Sequence, residues 1–259
     1  MKYSTYVISL KEEISRRKKI KTQLDNLNIK FDFFDAIDLR NSNPAELNEK
    51  CKDNTNLNRK LTSGEIGCAL SHINIYRKTI SNEENWSWII EDDALLDNVS
   101  NSKINQIISL ANKYNADIII LGYSKLSPDD TTNFYIKEPV KRICKSKDGY
   151  TLGVPWKNWT CGTVSYLINK NGAKKILTRY IKSDEKIETV ADDWLFFEKK
   201  CDLTILHCRP LIIYEDYKNH ISAIEKERSI VAKKTITSLE IIRLARGVIR
   251  FLIMSIIKK

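Results

Sequence analysis

Several familiar signals are missing from this chain, and each absence narrows what it can be. Its six cysteines, Cys51, Cys68, Cys144, Cys161, Cys201 and Cys208, form no CxxC pair and no cluster with histidine at zinc spacing, which removes the common zinc and dithiol motifs. Several sit in apolar stretches, where cysteine behaves as a small hydrophobe, and they read as reduced thiols of a cytosolic protein. No uninterrupted apolar run is long enough to span a bilayer, and the opening Met1 to Leu10 stretch is too short and too polar for a signal peptide. No DNA- or RNA-binding motif is present and the basic residues are scattered. The formal charge of +10 therefore points to an anionic partner that is not nucleic acid, either a phosphorylated substrate or an acidic membrane.

What is present is a soluble globular composition. With 259 residues, 42% hydrophobic and 29% charged, the chain suits one large domain, or one domain with an appendage. Its centre is Trp86-Ser87-Trp88-Ile89-Ile90-Glu91-Asp92-Asp93-Ala94, a buried-strand pattern running directly into three carboxylates. Adjacent like charges require compensation. A divalent cation supplies it most economically, because Mg²⁺ or Mn²⁺ prefers carboxylate oxygens and bridges to phosphates. A solvated acidic turn is the alternative.

Around this centre the pattern alternates strand and helix. A strand over Tyr3–Leu10, a basic helix to about Leu27 and a strand over Lys30–Ile37 form one βαβ unit. Ligands of open α/β sheets sit at the carboxyl ends of strands, so Leu10 to Arg17 and Asp35 to Asp38 should face a site. Arg16 and Arg17 there suit a phosphate or a base, or are solvated helix charges. Residues 41–60 read as a surface loop. In the helix from Leu61 to Tyr76, Thr62 and Glu65 make a capping-box pair, small residues permit close backbone approach, and His72 reads as a buried histidine or a site group.

Further along, Ile104–Asn115 suits a helix and Ala116–Gly122 a buried strand, while 123–160 looks irregular. Trp156 and Trp159 in that loop suit either a sugar face or core packing. A strand over Cys161–Ile168 and a helix over Lys170–Lys182 precede Asp192 and Asp193, which open an apolar helix; capping explains one of the two. Leu203–Tyr214 is the last strand candidate, interrupted by Pro210 and followed by Glu215-Asp216 and His220. From Lys233 onward, Arg243, Arg246 and Arg250 share one helical face, opposite Ile241, Val248, Ile249, Leu252 and Ile256. That is the pattern of a basic amphipathic helix lying in an anionic membrane interface, though docking on the domain or a partner is open to it.

Taken together, Tyr6–Leu10 with Arg16-Arg17, Phe33–Ala36, the run Leu61–His72, Ile90–Ala94, Gly162–Ile168 and Ala191–Trp194 resemble the bacterial glycosyltransferase family 25, in that family's order. The resemblance implies an α/β, GT-A-like (Rossmann-like) sheet with helices on both faces over 1–232, and the amphipathic tail at 233–259 follows it. It implies inverting transfer from a UDP-sugar, UDP-galactose above all, to a lipooligosaccharide or other surface glycan. The enzyme would work as a peripheral protein on the cytoplasmic face of the inner membrane. UDP-glucose or UDP-GlcNAc is the alternative donor, and a metal-dependent phosphohydrolase or nucleotidyltransferase the alternative class. Carried onto this chain, the pattern puts Mn²⁺ or Mg²⁺ on Glu91 and Asp93, with His220 a possible third ligand, and gives the general base to Asp192 or Asp193. Ser9, Leu10, Arg16, Arg17, Asp35 and Ala36 would face the donor, together with Gly64, Glu65, Ser71, His72 and Asp92.

Overall fold

The computed structural model describes all residues except 1, 54, 58, 98, 160, 217–238 and 257–259. In chain order the elements are β1 (Ser4–Ser9), α1 (Ile14–Asn26), β2 (Asp32–Asp35), α2 (Pro44–Lys50), α3 (Ser63–Ser81), β3 (Trp86–Glu91), β4 (Ala94–Leu95), α4 (Asn101–Lys113) and β5 (Ile118–Tyr123). They continue as α5 (Thr131–Lys137), β6 (Val140–Lys145), β7 (Thr151–Pro155), β8 (Ser165–Asn169), α6 (Lys170–Lys182), α7 (Trp194–Cys201), β9 (Ile205–Arg209), β10 (Ile213–Glu215) and α8 (Leu239–Ile256). The ten strands make one sheet in the order β2-β1-β3-β8-β5-β9-β7-β6, with β10 joined to β5 and β4.

Side-chain alternation explains why helices cover both faces. Tyr6, Ile8, Ile89, Ile118, Ile120, Tyr166 and Ile168 point into one apolar cluster with residues of α3, α6 and α7. Val7, Trp88, Ile90, Ile119, Leu121 and Leu167 point into the other, with residues of α1 and α4. Central strands buried on both faces read as near-continuous apolar runs, as these do. The α/β architecture with helices on both faces is thus as expected. The sheet is mixed: β2, β1 and β3 are parallel, and β8 runs antiparallel to both β3 and β5.

Helix α3 carries the closest packing. Its capping box is complete, with Thr62 and Glu65 satisfying each other's backbone amides. At Gly67 a Cβ would lie 2.4 Å from the Ile37 carbonyl oxygen, so no larger residue lets the helix sit this close to the β2 exit. Two stretches are more ordered than expected. The 41–60 loop contains α2, and 123–160 contains α5 and the β6–β7 hairpin. Both helices have seven residues and no fully buried side chain, so the apolar periodicity that marks a helix is weak there.

The C-terminal helix is amphipathic, and one part of the expected pattern needs correction. Arg250 is buried and turned onto the domain, 3.4 Å from the Glu138 carboxylate; Met254 is buried beside it. Arg243 and Arg246 are exposed, as are Ile242, Val248, Ile249, Leu252 and Ile256. One face of α8 therefore docks on the domain while an apolar face stays uncovered. No described helix is long and apolar enough to cross a membrane. The expected domain boundary at 232/233 lies outside the described residues.

Within the sheet, β9 carries a buried polar network. The Tyr123 hydroxyl donates to His207 Nδ1, and His207 Nε2–H donates to Asn158 Oδ1 at 2.7 Å. Burial, and then the Arg209 cation, push the His207 pKa well below 6.5. A base held neutral in the fold but free to protonate when unfolded contributes stability above its unfolded pKa and loses it as pH falls. The stability difference between wild type and His207→Gln should therefore shrink by about 1.4 kcal/mol per pH unit below roughly 6.5. Urea unfolding of both proteins from pH 7.5 to 5 measures it, and a pH-independent difference would contradict the neutral assignment.

Candidate active site

The three parallel strands end on the same edge of the sheet. Register pairs Ser9 with Asp35 and Ile8 with Glu91, so the chain exits carrying Leu10, Ala36 and Asp92-Asp93 converge there, as the carboxyl-end rule anticipates. They line a cleft with Arg16, Asp38, Arg40, Gly64, Cys68 and Ser71, whose empty volume is about 770 Å³ with its open mouth included. That is within the range of small-molecule sites. Ser71 Oγ accepts the Ile37 amide at 2.8 Å, locking the β2 exit to α3.

The charge compensation the carboxylates require is partly internal. Arg16 Nη2 lies 2.7 Å from Asp92 Oδ1 and 2.6 Å from Asp93 Oδ2, and the Ser9 hydroxyl donates to Asp92 Oδ2. Burial works against the Arg16 cation, but Asp93, Asp92 and Glu91 more than offset it. Glu91 turns the other way: it accepts from the Thr163 hydroxyl and faces His72. Burial raises the Glu91 pKa, yet His72, Thr163 and Arg16 together hold it below the usual value. Burial first, and then the Glu91 charge, push Asp93 well above the carboxylate range.

One cation is not enough for this site. Glu13, Asp38, Glu91, Asp92 and Asp93 line the cleft against two guanidiniums, Arg16 and Arg40. Asp93 Oδ1 is buried without a hydrogen-bond partner. An orphaned carboxylate oxygen in a cleft of further carboxylates fits a hard divalent cation; Asp93 offers that oxygen, while Glu91, the other expected ligand, lines the same cleft but has its Oε1 turned to Thr163 and His72. The end of β10 adds to the acidity: Asp216 donates its amide to the Asp93 carbonyl at 2.8 Å, and Glu215 repels both Asp93 and Glu91. His220 lies outside the described residues.

Of the expected donor-facing residues, Ser9, Leu10, Arg16, Ala36, Gly64, Ser71 and Asp92 line the cleft. Four do not. Arg17 and Asp35 pair with each other at 2.5 Å, and Arg17 also donates to the Ser9 and Leu10 carbonyls. Glu65 is buried under a two-pronged Arg59 contact, and His72 is buried behind the cleft against Tyr166. Sequence reasoning had no role for Arg40, Cys68 or Glu215, whereas Glu13 lies in the Leu10 to Arg17 stretch expected to face a site. Only the Glu215-Asp216 pair at a strand end carried a signal.

Asp192 and Asp193 have separated roles. Asp193 caps α7: its carboxylate accepts Phe196 N–H at 3.1 Å, the Thr189 hydroxyl at 2.6 Å and Asn56 Nδ2 at 2.7 Å. Asp192 accepts the Gly162 amide at 2.9 Å, next to the Thr163 that binds Glu91. Gly162 has φ +82, and a Cβ there would overlap the Ser124 side chain, so this tight link between the two acidic groups demands glycine. A second cleft, with an empty volume of about 610 Å³, is lined by Tyr123, Phe134, Lys157, Trp159 and Cys161. Trp156 and Trp159 are both exposed, at 43% and 42%, which favours a binding surface over core packing. Asp193→Ala should cost roughly 2–3 kcal/mol of stability, because three donors, two of them buried, lose their acceptor, whereas Asp192→Asn should cost about 1 kcal/mol or less. Urea denaturation of both variants distinguishes the cap from its neighbour.

A carboxylate-floored, arginine-walled cleft at the carboxyl end of a covered α/β sheet is where proteins of this architecture bind their ligands. The matches to known proteins are more specific. Residues 2–195 match the profile of glycosyltransferase family 25 (LPS biosynthesis protein), and the chain belongs to that family. The lipooligosaccharide biosynthesis protein lex-1 of Haemophilus influenzae is 25% identical, over 95% of this chain and 90% of that protein. The lipooligosaccharide biosynthesis protein lic2B of the same species is 30% identical, over 74% of this chain and 68% of its own. Procollagen galactosyltransferase 1-B of Xenopus laevis is 28% identical over 85% of this chain, which spans 38% of that relative's length. A solved galactosyltransferase, LgtC in complex with donor and acceptor sugar analogues, superposes with a TM-score of 0.41 at 9% identity, covering 91% of this chain and 98% of that one. That likeness is too weak to transfer residue roles.

Proposed function

We propose that this protein is an inverting glycosyltransferase that moves a sugar from a UDP-sugar, UDP-galactose first among them, onto a lipooligosaccharide or related surface glycan. The observation that carries this reading is the orphaned Asp93 oxygen in a cleft of excess carboxylates walled by Arg16 and Arg40. Such a site accepts a cation and a diphosphate together. Family membership and the names of the relatives, galactosyltransferase and lipooligosaccharide biosynthesis protein, support the donor and acceptor classes.

Bound at Asp93 and Glu91, Mn²⁺ or Mg²⁺ would neutralise the departing diphosphate and so ease cleavage of the sugar–phosphate bond. Arg16 and Arg40 add positive charge on the same side. Ser9 and Arg16 hold Asp92, and Arg16 also holds Asp93, so the carboxylates of the cleft are set before substrate arrives. Asp192 takes the proton of the attacking acceptor hydroxyl, since Asp193 is committed to its cap. The acceptor lies in the second cleft, with Trp159 as a flat apolar face for a sugar ring.

UDP release from a panel of UDP-sugars should occur with Mn²⁺ for one donor, stop with EDTA and be lost in Asp93→Ala. Asp192→Asn should lower kcat by about 10²–10⁴ with donor binding retained. Release from no UDP-sugar, or release indifferent to a glycan acceptor when one is supplied, would count against the transferase assignment.

The uncovered face of α8 supports the membrane-surface part of the reading. Ile242, Val248, Ile249, Leu252 and Ile256 are exposed beside Arg243 and Arg246, and apolar insertion with flanking positive charge is how an interfacial helix binds anionic lipid. The double variant Ile249→Glu, Leu252→Glu leaves the Arg250 and Met254 contacts intact. It should sediment at least ten-fold less with phosphatidylglycerol vesicles than wild type, with UDP release unchanged. Equal sedimentation of the two proteins would refute the membrane role of this face.

A further inference from the structure

We propose that Cys68, His72 and Glu91 form a binding site for a borderline-soft divalent cation, with Zn²⁺ the best chemical match. Among the described residues this is the group whose thiol, imidazole and carboxylate atoms all lie within 4.8 Å of one another. Cys68 and His72 stand one turn apart on α3, so they project from the same face, and Glu91 closes the set from the last position of β3. The chain spacing alone gives no zinc motif, because the third ligand comes from a different element.

The imidazole supplies the independent observation. His72 is 1% exposed. Its Nδ1 lies 2.7 Å from the Tyr166 hydroxyl, and that hydroxyl donates its own proton to Tyr76 at 3.0 Å. With the Tyr166 proton spent, the proton between His72 and Tyr166 belongs to Nδ1, and Nε2 is the ring nitrogen left to meet a metal. Nε2 is buried without a hydrogen-bond partner, and it stands 3.9 Å from Glu91 Oε1, beyond hydrogen-bond reach. A buried ring nitrogen facing a carboxylate and a thiol, with the opposite nitrogen fixed by an outer partner, is how a metal-ligating histidine is oriented.

Ligand chemistry selects the ion. Imidazole and thiolate favour Zn²⁺, whereas Mg²⁺ and Mn²⁺ prefer all-oxygen surroundings. Three protein ligands leave room for a fourth, such as water, and two of the three, Cys68 and Glu91, also line the donor-side cleft. The site differs in donor set from the carboxylate site at Asp93, with which it shares Glu91. It stands whether or not the transferase reading does.

The test is Zn²⁺ titration of the purified full chain by calorimetry, without nucleotide, paired with Co²⁺ substitution read by absorption. Wild type should bind one Zn²⁺ per chain, and its Co²⁺ form should show a thiolate-to-metal charge-transfer band. Cys68→Ser should abolish that band and weaken Zn²⁺ binding at least ten-fold, and Asp93→Ala should leave both unchanged. Tyr166→Phe, which removes only the outer partner, should weaken binding about 10–100-fold. His72→Gln should also lose the ion; circular dichroism checks that it folds, and if it does not, the near-isosteric Cys68→Ser decides alone. Absence of stoichiometric Zn²⁺ binding overturns the proposal. So does binding or a charge-transfer band that survives Cys68→Ser, since it would then belong to other cysteines.

Discussion

Three consecutive carboxylates at the end of a buried strand impose a cost that the surrounding structure must meet. Asp92 and Asp93 are 6% and 9% exposed, so water does not screen them, and at short range in such a medium like charges repel strongly. Several features follow from relieving that repulsion. Arg16 is drawn from α1 to bridge Asp92 and Asp93, Ser9 donates to Asp92, and Thr163 donates to Glu91. Glu91 turns its Oε1 to Thr163 and His72 while Asp92 and Asp93 share Arg16, so the triplet is divided between two sets of partners. Removing Arg16 would leave two buried carboxylates without their cation, which costs more than the pair contributes.

The same division organises function. On one side, an incomplete balance at Asp93 leaves an oxygen for a cation and a cleft for an anion. On the other, Glu91 meets a histidine and a cysteine of α3. Close packing makes this second encounter possible: Gly67 lets the helix touch the β2 exit, and Ser71 ties the Ile37 amide to it. Helix α3 thus forms one wall of the cleft and at the same time carries the buried His72–Tyr166–Tyr76 chain beneath it. A packed interior transmits such placement rigidly.

Much of the cleft was legible because strand ends are legible. Buried parallel strands announce themselves as apolar runs, and the carboxyl-end rule turns their last residues into site candidates; Leu10, Ala36, Asp92 and Asp93 were found that way, and Ser9 through the family resemblance. The failures have equally local causes. Glu65 is hydrophilic for the sake of a capping box and an Arg59 pair, Arg17 is held by carbonyls and by Asp35, and neither role can be told from ligand binding by composition. Arg40 stood in a segment with no periodicity to place it. The order within 123–160 was hidden because α5 and the β6–β7 hairpin bury few side chains.

By itself the sequence determined the alternation of strand and helix, the capping box at Thr62, the acidic strand end and the amphipathic tail, since each depends on residues near one another in the chain. Tertiary structure alone decided what those pieces meet. It put β10 beside β4, bringing Glu215 and Asp216 to Asp93; it gave the cap to Asp193 and left Asp192 beside Gly162; it turned Arg250 onto Glu138 and away from the exposed face of α8. Contacts between residues tens to hundreds of positions apart depend on how strands pair and helices pack, and no local periodicity encodes that pairing.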